Sequence, residues 1–230
     1  MTDARLVSIV LPVHDQAEHI ASVVGEHLAA LERLPARVEV ILVPNGCRDG
    51  SDGVCERLAA ADPRIRVVAS VEGGWGRAVR LGLGAARGDI LCYTNSARTT
   101  REELLLMLLY ATAYPEVVVK ANRKIRERFT RRIGSLLYNI ECRTLFDLSN
   151  WDVNGTPKVF PRRFDKLLAL ARDDDLIDAE FCLICRREGY PMVEVPVFSF
   201  RRHGGQSTTG WRSAVRMYVG AYRLWRSRTA

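Results

Sequence analysis

The sequence predicts an α/β fold in which a mainly parallel sheet carries helices on both faces. Across residues 6–120, short apolar runs alternate with longer segments of helical periodicity. Consecutive parallel strands need a crossover of roughly a dozen residues or more, and the helical segments supply crossovers of that length. The chain has 230 residues, 47% of them hydrophobic, which is enough for one domain with a substantial core.

Five strands and four helices are expected in the first half of the chain. The expected strands are Leu6–Val13, Val38–Val43, Ile65–Ala69, Asp89–Thr94 and Val117–Lys120. The expected helices are Gln16–Arg33, a short helix ending near Ala60, Gly76–Arg87 and Glu102–Ala113. Apolar residues three and four apart, as at Ile20, Val23 and Val24, give the first helix a core-facing side.

The second half of the chain is less regular. Helices are expected at Arg131–Leu148, Arg162–Ala171, Ile177–Glu188 and from Trp211 to Arg226, and extended segments at Thr156–Phe160 and Met192–Phe198. No repeat or low-complexity linker interrupts the sequence. Residues 1–230 are therefore expected to form a single domain.

The net charge of +7 comes largely from two basic segments, residues 120–132 and the acid-free stretch from Val195 onward. Such patches favour binding of phosphate groups or of an anionic membrane surface. No helix-turn-helix, zinc-finger or RNP-type motif accompanies them, so nucleic acid is not the expected partner.

The sequence predicts a cytoplasmic location. No apolar run approaches the roughly 18 residues that a membrane-spanning helix needs, and the residues before Leu6 carry no signal-peptide pattern. Six cysteines are then expected to be reduced thiols in the core. Cys182 and Cys185 could alternatively form a redox or metal-binding pair.

Four polar or glycine-rich loops follow the first four expected strands. They are residues 12–18, 44–51, 72–77 and 94–98. Sheets of this type bind ligands beyond the carboxyl ends of their strands. We therefore expect these four loops to form one binding rim.

Seven short segments form an ordered set of motifs. The first half carries VSIVLPVHDQA (7–17), EVILVPNGCRDGS (39–51) and GWGRAVRLGL (74–83). The second half carries DVNGTPKVF (152–160), DAE (178–180), EVPV (194–197) and RHGGQS (202–207). In this order they resemble the family 2 glycosyltransferases of GT-A fold, especially the polyprenyl-phosphate sugar transferases similar to dolichol-phosphate mannosyltransferase. The resemblance covers about residues 6–210.

The resemblance implies a GT-A-like fold, a UDP- or GDP-sugar donor and, by analogy, a polyprenyl phosphate acceptor with peripheral contact at the inner face of the membrane. It divides the domain into a nucleotide-sugar-binding half, about 1–121, and an acceptor-side half, about 122–230. The residues that it places at the donor are Pro12, His14, Gln16, Asn45, Arg77, Asn95, Arg98, Arg202 and Ser207.

A general base is expected among Asp178, Glu180 and Asp152, which match the family's acidic positions. Inverting transfer needs such a base unless the acceptor is already anionic. Asp178 and Glu180 are the first candidates, and Asp152 is the next.

The metal-binding part of the family pattern is replaced in this chain. Where the family has paired aspartates after the fourth strand, residues 93–98 are YTNSAR. Cations such as Mg²⁺ and Mn²⁺ prefer anionic oxygen ligands, so no metal cofactor is expected, with Mg²⁺ or Mn²⁺ as the alternative. Arg77, Arg98 and Arg202 would instead neutralise the leaving nucleoside diphosphate, unless they are solvated surface residues.

Several site residues have a structural alternative. Asn45 precedes a glycine and could form a turn rather than contact a nucleotide base. Asp15 could cap the first helix rather than reach a ribose. The run Asp173–Asp175 could bind a metal, although a solvated loop and helix cap is expected.

The last helix also has two interpretations. Trp211, Val215, Tyr218, Tyr222 and Trp225 are expected on one of its faces. This face either packs on the protein body or, beside the neighbouring arginines, contacts a membrane.

The lost acidic residues allow a second function, that of a glycosyltransferase-like protein that binds a nucleotide or a partner without catalysis. The retained Asp152, Lys158 and Asp178 favour the transferase.

Overall fold

A computed structural model describes residues 5–124, 129–198 and 211–229, without the side chains of 129–132, 211–214 and 227–229. The strands are β1 Leu6–Val13, β2 Arg37–Pro44, β3 Ile65–Val67, β4 Ile90–Tyr93, β5 Val118–Arg123, β6 Lys158–Pro161 and β7 Met192–Val197. The helices are α1 Ile20–Leu31, α2 Ser51–Ala61, α3 Trp75–Ala85, α4 Arg101–Ala113, α5 Phe129–Phe146, α6 Ile177–Glu188 and α7 Trp211–Thr229.

The seven strands form one sheet in the order β3-β2-β1-β4-β6-β5-β7. All neighbouring pairs are parallel except those of β6, which runs antiparallel to β4 and to β5. The fold class expected from the sequence is therefore confirmed. Because β1, β2, β3 and β4 are parallel, their carboxyl ends and the loops that follow them share one edge of the sheet.

The core has two layers, one on each face of the sheet. Successive residues of a strand point to opposite faces, so Val10 of β1 joins one cluster while Ile9 and Leu11 join the other. The Val10 layer contains residues of α3, α5, α6 and α7. The opposite layer contains residues of α1, α2 and α4.

The prediction of a helix at Arg162–Ala171 is wrong. Only Asp165–Leu168 is helical, as a single short 3-10 segment. Tertiary contacts hold the rest of this stretch in an irregular path, since Phe164 stacks on Tyr190 with ring centroids 4.0 Å apart. The backbone N–H of Ala171 donates to the Glu180 carboxylate at 3.0 Å. Local helical periodicity is overridden here.

The aromatic face expected on α7 is split between two sides. Tyr218 and Trp225 pack against the core, whereas Val215 and Tyr222 are 51% and 48% exposed. The side chain of Trp211 lies outside the described residues. Among the described residues, no helix combines the length and the apolarity required to cross a bilayer.

Candidate active site

Hydrogen bonds tie the rim loops to one another. The Ser96 hydroxyl, on the loop after β4, lies 2.9 Å from the Gln16 amide oxygen on the loop after β1 and 2.8 Å from the Pro12 carbonyl oxygen near the end of β1. His14 Nδ1 lies 2.7 Å from the Asn45 carbonyl oxygen on the loop after β2. The structure therefore brings together Pro12, His14, Gln16 and Asn45 at one edge of the sheet, and their contact with a donor stays a prediction.

The Asn45 side chain is hydrogen-bonded to backbone groups. Its amide nitrogen donates to the carbonyl oxygens of Val13 and Val43 at 2.8 and 3.1 Å, and its amide oxygen accepts from Gly74 N–H at 3.1 Å. The side chain is also buried. Contact with a nucleotide base would break these bonds, so the geometry favours the turn-forming alternative.

Asp15 and Asp49 brace the first two loops. Asp15 does not cap a helix, because α1 begins after His19, which makes no side-chain cap. Its Oδ1 instead accepts from Arg48 N–H at 2.8 Å. Burial opposes ionisation of Asp49, but hydrogen bonds from Ser51 and from the Ala17 N–H outweigh it and lower the Asp49 pKa.

The loop after β4 does not fit a divalent metal. The Asn95 amide oxygen accepts from Ala97 N–H at 3.0 Å. Ser96 is buried and points to the first loop, and Ala97 is buried without a donor atom. The position that should offer anionic oxygens to Mg²⁺ or Mn²⁺ offers none, while Arg98 lies beside it, partly exposed.

Arg77 is already paired with acids. Its guanidinium contacts Glu72 and lies 3.4 Å from Asp173. Its backbone N–H, at the start of α3, donates to the Asp173 carbonyl oxygen at 3.0 Å. The Arg77 side chain is thus neutralised by two carboxylates, and its contact with the donor phosphates stays a prediction. Asp173 also pairs with Arg80 and therefore serves α3 rather than a metal.

Asp178 lies in a buried network of donors. Its carboxylate accepts from Trp75 Nε1 at 3.1 Å and from the Tyr93 hydroxyl at 2.9 Å, and it pairs with Lys158. Lys158 is fully buried, and Asp178 is 4% exposed. Burial, with the nearby charge of Asp178, raises the pKa of Tyr93, so the phenol keeps the proton that it donates. This arrangement holds a fixed carboxylate, not one that faces an acceptor.

The other two expected bases are also engaged. Glu180 is buried and accepts from the backbone N–H groups of Ala171 and Arg172, both at 3.0 Å. Asp152 is buried and forms a two-pronged bond with the Arg123 guanidinium at 2.8 Å for each oxygen. All three carboxylates anchor structure, and the structure does not bring them to a common open site.

Sequence reasoning missed the partners of these acids. Trp75 and Tyr93 were assigned no role at the site, although both bond to Asp178. Lys120 and Lys158 are fully buried in strands, and Lys120 Nζ lies 2.6 Å from Glu194. A lysine within an otherwise apolar strand was the available signal, because a buried cation needs an acidic partner.

Two expected donor ligands, Arg202 and Ser207, lie outside the described residues. All six cysteines are free, and Cys182 and Cys185 are buried in the core layer with α6. This burial accords with core thiols. Burial also raises the pKa of the half-buried Cys47.

The backbone closely matches solved glycosyltransferases. Glucosyl-3-phosphoglycerate synthase from Mycobacterium tuberculosis, solved with Mn²⁺, UDP and glucosyl-3-phosphoglycerate, superposes with a TM-score of 0.69 at 18% identity. The match covers 96% of this chain and 80% of that one. At this identity the likeness defines the fold, which is the GT-A class.

Sequence comparison defines the family. The family model described as "Glycosyl transferase family 2" matches residues 8–169. The chain belongs to that family. Glycosyltransferase AglD from Haloferax volcanii is 31% identical over 202 residues, covering 83% of this chain and 32% of that protein. Undecaprenyl-phosphate 4-deoxy-4-formamido-L-arabinose transferase from Pseudomonas syringae pv. syringae is 29% identical over 204 residues, covering 86% and 56%. The chain thus spans about a third to a half of these relatives.

We predict that Lys158→Met destabilises the protein by about 3–5 kcal/mol, because it leaves the buried Asp178 carboxylate without its cation. Asp178→Asn in the same chain should restore part of this loss. The free energy of unfolding, measured by urea denaturation, gives the coupling between the two sites.

Lys166→Met is the matched control, because Lys166 is exposed; its effect should stay within about 0.5 kcal/mol. Equal effects of the two lysine substitutions, or additive effects of Lys158→Met and Asp178→Asn, would contradict a stabilising buried pair.

Proposed function

We propose that this chain transfers a sugar from a nucleotide-sugar donor to the phosphate of a polyprenyl phosphate. One observation carries the proposal: Asp152, Asp178 and Glu180, the three carboxylates expected to serve as general base, are all buried and hydrogen-bonded. An acceptor that is already anionic needs no base. A phosphate is such an acceptor, and a relative is named for undecaprenyl phosphate.

In the proposed reaction a phosphate oxygen of the acceptor attacks the anomeric carbon of the donor sugar. The bond from that carbon to the nucleoside diphosphate breaks, and the diphosphate leaves with the electron pair. Negative charge therefore grows on the leaving group, and the chief task of the protein is to stabilise it. No proton has to be removed from the attacking phosphate oxygen.

Arginine, rather than a metal on the loop after β4, is proposed to stabilise the leaving diphosphate. Asn95 and Ser96 support this, because their side chains offer only neutral oxygen atoms to a metal. Arg98, on the same loop, supports it as well. Guanidinium groups bind phosphate oxygens through paired hydrogen bonds. Arg202 remains a predicted contributor.

We expect nucleoside diphosphates to bind in the presence of EDTA, because the loop after β4 offers no anionic metal ligand. Isothermal titration calorimetry of UDP and GDP, with EDTA and then with Mn²⁺, measures this. Arg98→Gln should weaken binding under both conditions, whereas Arg101→Gln, exposed at the start of α4, is the control. Binding that chelation abolishes and Mn²⁺ restores would contradict metal-independent binding.

Peripheral membrane contact is proposed for the surface formed by α5 and α7. The helices pack together, with the Tyr138 and Tyr218 rings 5.6 Å apart in an edge-on contact. Four apolar side chains spaced as on one helical stripe remain exposed on α5: Ile133, Leu136, Leu137 and Ile140. Exposed arginines of α7, such as Arg223, supply positive charge. Apolar and basic side chains together suit an anionic membrane surface.

Two sets of substitutions should separate these contributions in liposome co-sedimentation. Replacing Arg216, Arg223 and Arg226 by Ser should weaken binding to anionic vesicles roughly a hundredfold, at about 1 kcal/mol for each charge, and leave binding to neutral vesicles unchanged. Replacing Leu136 and Leu137 by Ser should weaken binding to both kinds of vesicle. The control pair Leu106→Ser and Leu109→Ser alters exposed residues of α4.

Membrane contact through α5 and α7 is contradicted if the control pair lowers binding as much as the α5 pair. The cytoplasmic location stays a prediction. Catalytic inactivity is the second candidate, and one observation favours it: Arg77, expected at the donor phosphates, is neutralised by Glu72 and Asp173.

A further inference from the structure

Three side chains with metal-binding atoms converge on the rim: His14, Asp15 and Cys47. One ligand atom from each lies within 4.8 Å of the other two. His14 and Asp15 follow β1 and Cys47 follows β2, so two separate loops contribute. The transfer chemistry proposed above uses none of these three side chains.

The hydrogen bond of His14 fixes its ring for ligation. Nδ1 lies 2.7 Å from the Asn45 carbonyl oxygen. A carbonyl oxygen has no hydrogen to donate, so Nδ1 carries the proton and Nε2 of the neutral ring keeps its lone pair. Histidines that bind metals are oriented by such a bond from the other nitrogen. Nε2 faces Asp15 Oδ2 at 3.7 Å.

Asp15 adopts an unusual backbone conformation that places its carboxylate there. Its φ is 48°, in the left-handed region that few residues other than glycine adopt. Arg48 N–H donates to Oδ1 at 2.8 Å, which leaves Oδ2 toward His14. Strained residues of this kind cluster at functional sites.

The hydrogen bond of the Cys47 thiol is long, and its acceptor has other donors. Sγ lies 3.4 Å from the Val13 carbonyl oxygen. That oxygen already accepts from Asn45 N–H at 3.0 Å and from the Asn45 side chain at 2.8 Å. Its two lone pairs are therefore satisfied without the thiol, so Sγ can turn toward a cation without leaving that oxygen unpaired.

We propose that His14, Asp15 and Cys47 bind Zn²⁺, with water in the fourth position. Nitrogen, oxygen and sulfur ligands suit this borderline-soft cation and disfavour Mg²⁺ or Ca²⁺. Two ligands that each lie about 2.0 Å from a tetrahedral zinc are about 3.3 Å apart, so the 3.7 Å between Nε2 and Oδ2 needs only a small closure. The ion joins the first two rim loops. The transfer reaction proposed above does not depend on this ion.

Cobalt titration tests the site directly. Chelator-stripped, reduced protein should bind one Co²⁺ with a near-ultraviolet cobalt–thiolate charge-transfer band, and Zn²⁺ should displace it. Cys47→Ser should abolish the band, and His14→Gln and Asp15→Asn should each weaken binding at least about tenfold. The controls Cys55→Ala and Asp52→Asn, on the neighbouring α2, should match the parent.

A second measurement needs no variant. Cys47 is half-buried and the other five cysteines are buried, so Zn²⁺ should slow alkylation of Cys47 by iodoacetamide, followed by mass spectrometry. The site is excluded if the parent shows no charge-transfer band, if the band persists in Cys47→Ser, or if Zn²⁺ leaves alkylation unchanged. The last two results would leave His14 and Asp15 as neighbouring side chains that bind no metal. None of these results depends on sugar transfer.

Discussion

The buried ion pair of Lys158 and Asp178 is the interaction on which the rim depends. Lys158 lies on β6, the antiparallel strand beside β4, and Asp178 lies on α6. A buried charge without its partner is strongly destabilising, so the lysine fixes where α6 can lie. Trp75 of α3 and Tyr93 of β4 donate to the same carboxylate. The helix that the third rim loop leads into and the strand that the fourth rim loop follows are thus both bonded to one acidic side chain.

The polar side chains of the rim mainly bond to other residues of the protein. The Ser96 hydroxyl bonds to Gln16 of the first loop. The Asn45 side chain bonds to backbone carbonyl oxygens of β1 and β2, and Arg77 is paired with acids. On the loop after β4, where the family has metal-binding aspartates, Ser96 instead forms a hydrogen bond to the loop after β1. These hydrogen bonds already connect the rim loops before a donor arrives, which lowers the ordering cost of binding. Asp152, Asp178 and Glu180, the three carboxylates expected to serve as general base, are buried, and an acceptor that brings its own negative charge is consistent with that.

The fold was predictable from sequence because its signals are local. Alternating apolar runs and helical periodicity located every strand, and the Gly-rich and polar loops located the rim. The failures depend on distant contacts. The predicted helix near Phe164 is wrong because Tyr190 and Glu180, which lie outside that segment, hold it in an irregular path. Likewise, Asp178 matched a motif, but only the fold shows that Lys158 already holds it.

The central claim is that this rim supports sugar transfer to an anionic acceptor without a metal on the loop after β4. Transfer of radiolabelled sugar from UDP- and GDP-sugars into vesicles containing undecaprenyl phosphate, in the presence of EDTA, tests it most directly. The account predicts label in the lipid at a rate comparable to that with Mn²⁺. Transfer that requires Mn²⁺, or donor binding with no transfer under either condition, would contradict it.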